Sequence, residues 1–319
     1  LTMTSVLRGA ALIALMFAAF TTAKAQRPFR FDDLFAIDHV RSAAIAPNGE
    51  QVAFVTERWT PENYFGRSSV LWLVSARGGE PRRAGDQSFE RKQSDPVWSP
   101  DSRRLVYIAE TPSGARLRLV QVAGRHAVQT LAVCEDKEGI AAPAWSPDAS
   151  QIAVLCIRHI DRDNATSKTI VASESDQFDG SPYPVWSEAR LVRFDLASGS
   201  ARELAKSSSF LAQAGNVTWR GPETIWIVGT PEGTYAGTSN HDDRLAYKYD
   251  LASSTLQALP NAWTGATAAF PSPRGDDFIV IGGGRMSSTN WREFWRPRPA
   301  VVHRGSFDGT STPLSEPLD

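Results

Sequence analysis

The sequence predicts an all-β chain, a β-propeller of about five four-stranded blades, and three observations carry that prediction. A turn phrase recurs along most of the chain. An apolar, β-branched run follows each copy, and a second turn phrase keeps step with the first.

The first phrase is an apolar or aromatic residue followed by Ser-Pro-Asp/Asn-Gly or a near copy. It reads Ile45-Ala46-Pro47-Asn48-Gly49, Trp98-Ser99-Pro100-Asp101-Ser102 and Trp145-Ser146-Pro147-Asp148-Ala149, then more loosely Trp219-Arg220-Gly221-Pro222 and Pro271-Ser272-Pro273-Arg274-Gly275. The intervals between copies are 53, 47, 74 and 52 residues. A unit of about 40 to 50 residues suits a four-stranded blade, and the third interval carries roughly 25 residues more. Ser first, Pro second with its fixed φ, Asp or Asn third and Gly fourth is the preferred chemistry of a type I turn, so the chain must reverse there.

The runs that follow are Val52-Ala53-Phe54-Val55, Leu105-Val106-Tyr107-Ile108, Ile152-Ala153-Val154-Leu155, Ile225-Trp226-Ile227-Val228 and Phe278-Ile279-Val280-Ile281. Short apolar runs after a turn signal predict strands covered on both faces, which stacked blades supply. They are expected to be the second strand of each blade. The other phrase runs from Leu71-Trp72-Leu73-Val74 into Arg77-Gly78-Gly79-Glu80, and its later copies start at Leu117, Leu191, Leu245 and Ala300. These predict outer hairpins. Blades are therefore expected at 42–90, 91–136, 137–209, 210–262 and 263–319. An ordinary β-sandwich gives no reason for two phrases to recur in register five times.

Residues 1–25 read as a secretory signal peptide: Arg8 supplies positive charge, Ala10 to Phe20 is apolar, and Ala23-Lys24-Ala25 is a small-x-small cleavage site. Residues 26–41 form a lead-in to the propeller. The apolar stretch is too short for the roughly 20 residues that span a bilayer. Export to the periplasm or outside the cell is expected, with no membrane attachment after cleavage.

A formal net charge of −1 argues against nucleic acid as a partner, although Trp291, Phe294 and Trp295 alternate with Arg292, Arg296 and Arg298. That cluster is better suited to packing on a neighbouring blade or domain. The two cysteines, Cys134 and Cys156, fall in consecutive blades; a disulfide is compatible with export, but the spacing does not imply it, and buried thiols are the plainer alternative. No G-x-S-x-G, H-E-x-x-H, C-x-x-C or phosphate-loop motif is present. His241-Asp242-Asp243 reads as a polar loop, and Gly282-Gly283-Gly284 as a turn. No catalytic residue, metal or cofactor is expected.

Phe31-Asp32-Asp33-Leu34-Phe35 directly after the signal, then Val40 to Val55 ending in the first turn and its strand, resembles the opening of exported prolyl oligopeptidase-family serine peptidases. The similarity is to the dipeptidyl-peptidase IV and acylaminoacyl-peptidase branches. It implies a propeller of about seven or eight blades capping a C-terminal α/β-hydrolase domain that carries the Ser, Asp and His. This sequence reaches Asp319 without such a domain, so the expectation is a non-catalytic, substrate-gating portion of a periplasmic peptidase acting on short peptides. Its partner would be the absent hydrolase domain. A truncated gene product and a complete five-bladed ring both fit, with Leu1-Thr2 before Met3 favouring the former. The alternative is a stand-alone periplasmic propeller that binds a protein, resembling TolB.

The extra length in the third blade, 157–190, is the expected contact with substrate. It is acidic and aromatic, and Glu174, Asp176, Asp179, Tyr183, Trp186 and Glu188 are the candidate binding residues. The resemblance implies that acidic residues on such an insertion hold a peptide's amino end, though Glu174-Ser175-Asp176 only approximates the family's Glu pair. A solvated connector is the competing reading.

Overall fold

The computed structural model describes residues 30–60, 63–84, 92–122, 127–160, 186–207, 217–229, 245–258, 266–272, 277–282, 301–306 and 311–315. The expected signal peptide, His241-Asp242-Asp243 and the Trp291 to Arg298 cluster lie outside these residues. A short 3-10 helix, Phe31–Ala36, leads into the first strand. Among the described residues no helix is long and apolar enough to cross a membrane.

Among the described residues, twenty strands form five four-stranded antiparallel sheets, each a simple meander. The first contains β1 (His39–Ile45), β2 (Gln51–Thr60), β3 (Asn63–Ser75) and β4 (Arg82–Arg83). The second contains β5 (Lys92–Trp98), β6 (Arg104–Thr111), β7 (Gly114–Gln121) and β8 (Val128–Leu131). The third contains β9 (Gly139–Trp145), β10 (Gln151–Ile160), β11 (Trp186–Asp195) and β12 (Ser200–Ser207). The fourth contains β13 (Val217–Arg220), β14 (Thr224–Gly229), β15 (Leu245–Asp250) and β16 (Thr255–Ala258), and the fifth β17 (Ala266–Pro271), β18 (Asp277–Gly282), β19 (Val301–Ser306) and β20 (Ser311–Pro313). First strands of consecutive sheets pack on one another, β1 on β5, β5 on β9, β9 on β13 and β13 on β17, which makes them the inner strands of a β-propeller. The five-bladed all-β architecture is the one the repeats predict.

Each copy of the Ser-Pro-Asp phrase joins a first strand to a second. The amide of the fourth residue donates to the carbonyl of the first, Gly49 to Ala46 at 2.8 Å, Ser102 to Ser99 at 2.8 Å and Ala149 to Ser146 at 2.9 Å. The fourth residue has positive φ, +73° at Gly49 but also +60° at Ser102 and Ala149. A type I turn closed by a left-handed residue is the core of each four-residue hairpin loop, 47–50, 100–103 and 147–150, and glycine takes the left-handed position without steric cost. The Asp side chain does the rest. Asp101 Oδ1 accepts from the Ser99 hydroxyl at 2.5 Å and the Arg103 amide at 3.1 Å, and Asp148 Oδ1 accepts from the Ser146 hydroxyl at 2.6 Å and the Ser150 amide at 3.1 Å.

These bonds favour the ionised carboxylates. The hydroxyls of Ser146 and Ser150 pull Asp148 down to about 2; at Asp101 burial pushes the carboxyl up, and the Ser99 hydroxyl, the Arg103 amide and the charges of Arg104 and Arg103 together outweigh it and hold it below its ordinary value. A carboxyl depressed in the folded state contributes stability above its ordinary value of 3.8 and loses it as pH falls toward about 2. The urea midpoint is therefore expected to drop as pH falls from about 4 to about 2, and Asp148→Asn to reduce that drop. Asp148 is exposed, so its own share is at most about 1 kcal/mol. An unchanged pH profile in the variant would contradict this account.

The aromatic residue that opens the phrase joins the blades. The Trp98 indole donates to the Ala44 carbonyl at 2.9 Å, Trp145 to Val97 at 3.0 Å and Trp219 to Ala144 at 3.1 Å. In every case the acceptor lies one residue before the equivalent position of the preceding blade. Three apolar clusters fill the junctions between blades one and two, two and three, and three and four. Between blades four and five the Trp226 and Phe278 rings meet with centroids 5.1 Å apart. Val40 and Ile45 on the first blade, and Phe270 and Ile279 on the fifth, are exposed.

Candidate functional site

The inserted segment of blade three emerges where β10 ends and β11 begins. This is the face opposite the Ser-Pro-Asp turns, and the linker between blades two and three, residues 132–138, lies on it too. The ladder between β10 and β11 runs from Gln151↔Asp195 out to Ile160↔Trp186, further on both sides than the expected loop of 157–190. Only 161–185 is left outside the described residues, and with it Glu174, Asp176, Asp179 and Tyr183. Trp186 opens β11 opposite Ile160. Glu188 stands opposite Arg158, and its carboxylate meets Lys206 Nζ at 3.1 Å. The structure thus places two of the six predicted residues at the foot of the insertion.

Sequence reasoning missed what lies beneath them. Arg190, opposite Cys156 in the ladder, points into the end of the linker between blades two and three. Its Nη2 lies 2.5 Å from Glu138 Oε2 and 3.6 Å from Glu135 Oε1, and its Nη1 lies 3.1 Å from Glu203 Oε2. Arg158 Nη2 contacts Glu135 Oε2 at 2.7 Å and Glu138 Oε1 at 3.4 Å. The Glu138 side chain is only 3% exposed and that of Arg190 14%.

The linker holds its shape through its own atoms as well. The Glu135 amide donates to Glu138 Oε2 at 2.9 Å, the Glu138 amide donates to the Glu135 carbonyl at 3.3 Å, and Arg116 of β7 holds Asp136 at 2.8 Å. Burial alone would push Glu138 up, but the hydrogen bonds and charges of Arg190, the Glu135 amide and Arg158 outweigh it and hold the carboxyl below its ordinary value. Arg190 is correspondingly raised: desolvation opposes its charge, and Glu138 and Glu203 overcome that.

Cys134 and Cys156 form a disulfide here, with Cα atoms 5.5 Å apart. Buried free thiols, the plainer expectation from spacing, are corrected. The physical reason is the linker turn, which folds the last residues of blade two back against β10 and brings Cys134 onto the strand. The bond and the ion pairs together pin blade two to the strand pair from which the insertion rises. Chemically the cluster is an ion-pair platform in which two arginines, Arg158 and Arg190, meet three glutamates, Glu135, Glu138 and Glu203, and its task is positioning.

The acidic run Glu135-Asp136-Lys137-Glu138 directly after a cysteine was the available sequence signal for this site. Nothing in the spacing of Arg158 and Arg190 shows that they share a ladder end, because the inserted residues separate them.

The same propeller occurs in known proteins. No protein-family model matches the chain. The uncharacterized peptidase YuxL of Bacillus subtilis (strain 168) is 27% identical over 209 residues, which is 62% of this chain and 30% of that protein. The resemblance is to peptidase propellers. The acylaminoacyl peptidase of Pyrococcus horikoshii superposes with a TM-score of 0.65 at 12% identity, over 92% of this chain and 42% of that one. A puromycin hydrolase superposes with a TM-score of 0.57 at 19% identity, over 88% and 39%. A TolB-type structure from Agrobacterium tumefaciens gives 0.53 at 15% identity, over 87% and 81%. The chain therefore spans well under half the length of the peptidases it matches, and at these identities the structural likeness is one of fold.

Proposed function

We propose that this chain is the propeller portion of an exported serine peptidase of the prolyl oligopeptidase type, acting on short peptides. The observation that carries the reading is the agreement of two independent likenesses. Its sequence matches 30% of a curated peptidase, and its backbone follows 42% of an acylaminoacyl peptidase. In such a protein the propeller governs which substrates reach the active site, while the nucleophilic serine belongs to the hydrolase domain. The insertion of blade three, with Glu188 and Trp186 at its foot, is the segment proposed to meet the peptide.

A second reading, a periplasmic propeller that binds a protein, is favoured by one observation: the TolB-type structure is matched over 81% of its length. A fluorophosphonate probe separates the two. The 319-residue chain is expected to stay unlabelled, and the native product carrying this propeller, isolated from the exported fraction of its cells, to be labelled. A native product that remains unlabelled and co-purifies with a second protein would replace the peptidase reading with the binding one. Labelling of the 319-residue chain itself would overturn both.

A further inference from the structure

The disulfide and the buried carboxylate beside it form a group whose chemistry the platform does not use. The two sulfurs and a Glu138 carboxylate oxygen all lie within 4.8 Å of one another. Cys156 and Glu138 are buried, and Cys134 is half-buried. Glu138 Oε2 receives Arg190 and the Glu135 amide, but Oε1 is shut off from solvent with no hydrogen-bond donor among the described residues. Its nearest cation, Arg158 Nη2, stays 3.4 Å away. A buried acceptor left in this state costs free energy comparable to a lost hydrogen bond, and a bonded disulfide has no proton to offer it.

We propose that, when the Cys134–Cys156 bond is reduced, the two thiolates and Glu138 hold a Zn²⁺ ion. Two sulfurs and a carboxylate oxygen are ligands that Zn²⁺ accepts in a tetrahedral shell, whereas Ca²⁺ and Mg²⁺ require oxygen. Cysteines whose Cα atoms are 5.5 Å apart can open from a bond to a shared ion by side-chain rotation. Three anionic ligands against one divalent ion leave a single negative charge, which Arg158 and Arg190 already face. The fourth ligand would be water, entering from the Cys134 side.

The chemistry balances with a phosphine as reductant. The phosphine gives two electrons to the disulfide and becomes a phosphine oxide, water supplying its oxygen and the two thiol protons. Zn²⁺ then displaces both protons to solvent. The junction of blades two and three would thus be closed by a covalent bond under oxidising conditions and by an ion under reducing ones.

The test uses the full 319-residue chain, reduced by phosphine without oxygen, freed of excess reagent and titrated with Co²⁺. The expected result is a thiolate-to-cobalt charge-transfer band that saturates at one equivalent and is bleached by Zn²⁺. The oxidised chain should show no band. Cys134→Ser and Cys156→Ser should each abolish the two-thiolate spectrum, and Glu138→Gln should weaken Zn²⁺ binding by about tenfold or more. If a serine variant fails to fold, the reduced and oxidised parent still decide the matter. A reduced chain that keeps its circular dichroism yet gives no band overturns the proposal, as does Glu138→Gln binding Zn²⁺ as tightly as the parent.

Discussion

Trp145→Ala is expected to destabilise the propeller by about 3–5 kcal/mol, read as a drop in the urea midpoint with little change in slope. The ring is 6% exposed and lies in the cluster that joins blades two and three, among Val106, Ile108, Ile152 and Val154. Three effects add at this position. Truncation leaves a cavity in a packed core, removes the donor to the Val97 carbonyl, and takes away the ring face over which the Arg104 guanidinium sits at 5.0 Å. Arg104 also donates to the Ala149 carbonyl at 2.7 Å, so the turn that follows Trp145 is tied into the same contact.

Trp145→Phe separates these contributions, because it keeps most of the apolar volume and loses the indole donor. It is expected to cost about 1–2 kcal/mol, within the range for leaving a buried acceptor unpaired. Ile45→Ala provides the control. Ile45 occupies the same place in the phrase but is 68% exposed, so its truncation should fall within about 0.5 kcal/mol of the parent. A near-neutral Trp145→Ala, or an equally damaging Ile45→Ala, would show that the indole register does not bind the blades.

The turn phrase made the fold legible because each part of it has a local job that sequence displays. Pro100 and Asp101, or Pro147 and Asp148, set a reversal whatever surrounds them, and the apolar run that follows needs only to be covered on both faces. The aromatic residue of the phrase was legible as repeated. Its partner was not, because the acceptors Ala44, Val97 and Ala144 are backbone carbonyls, which carry no sequence signature. The same limit applies to the bulges in the inner strands, where Asp95 and Ala142, each three residues before the Trp, take φ near +51°. Aspartate tolerates that conformation, while alanine gives no hint of it. The platform stayed hidden for a further reason. Arg158 and Arg190 are 32 residues apart in sequence and become neighbours only because the ladder closes beneath the insertion.

Arg190→Leu is the second large effect, with an expected loss of about 3 kcal/mol. Removing the guanidinium leaves Glu138, 3% exposed, with the Glu135 amide and one cation, Arg158 at 3.4 Å, and a buried carboxylate without its main partner is far costlier than the pair was worth. Glu138→Leu should cost a similar amount, because Arg190 keeps only Glu203 and the more distant Glu135. The double variant should cost much less than the two single changes together, since two leucines can pack where two desolvated charges stood, and the difference is the coupling a double-mutant cycle measures. The Lys206–Glu188 pair on the same face is the contrast. Its lysine is 58% exposed, and Lys206→Ala should cost under about 1 kcal/mol. Near-additive costs for Arg190→Leu and Glu138→Leu would mean that the two act on stability through separate contacts. Strong coupling instead makes the linker and β11 a single mechanical unit, joined through Glu138 and Arg190 beneath the insertion.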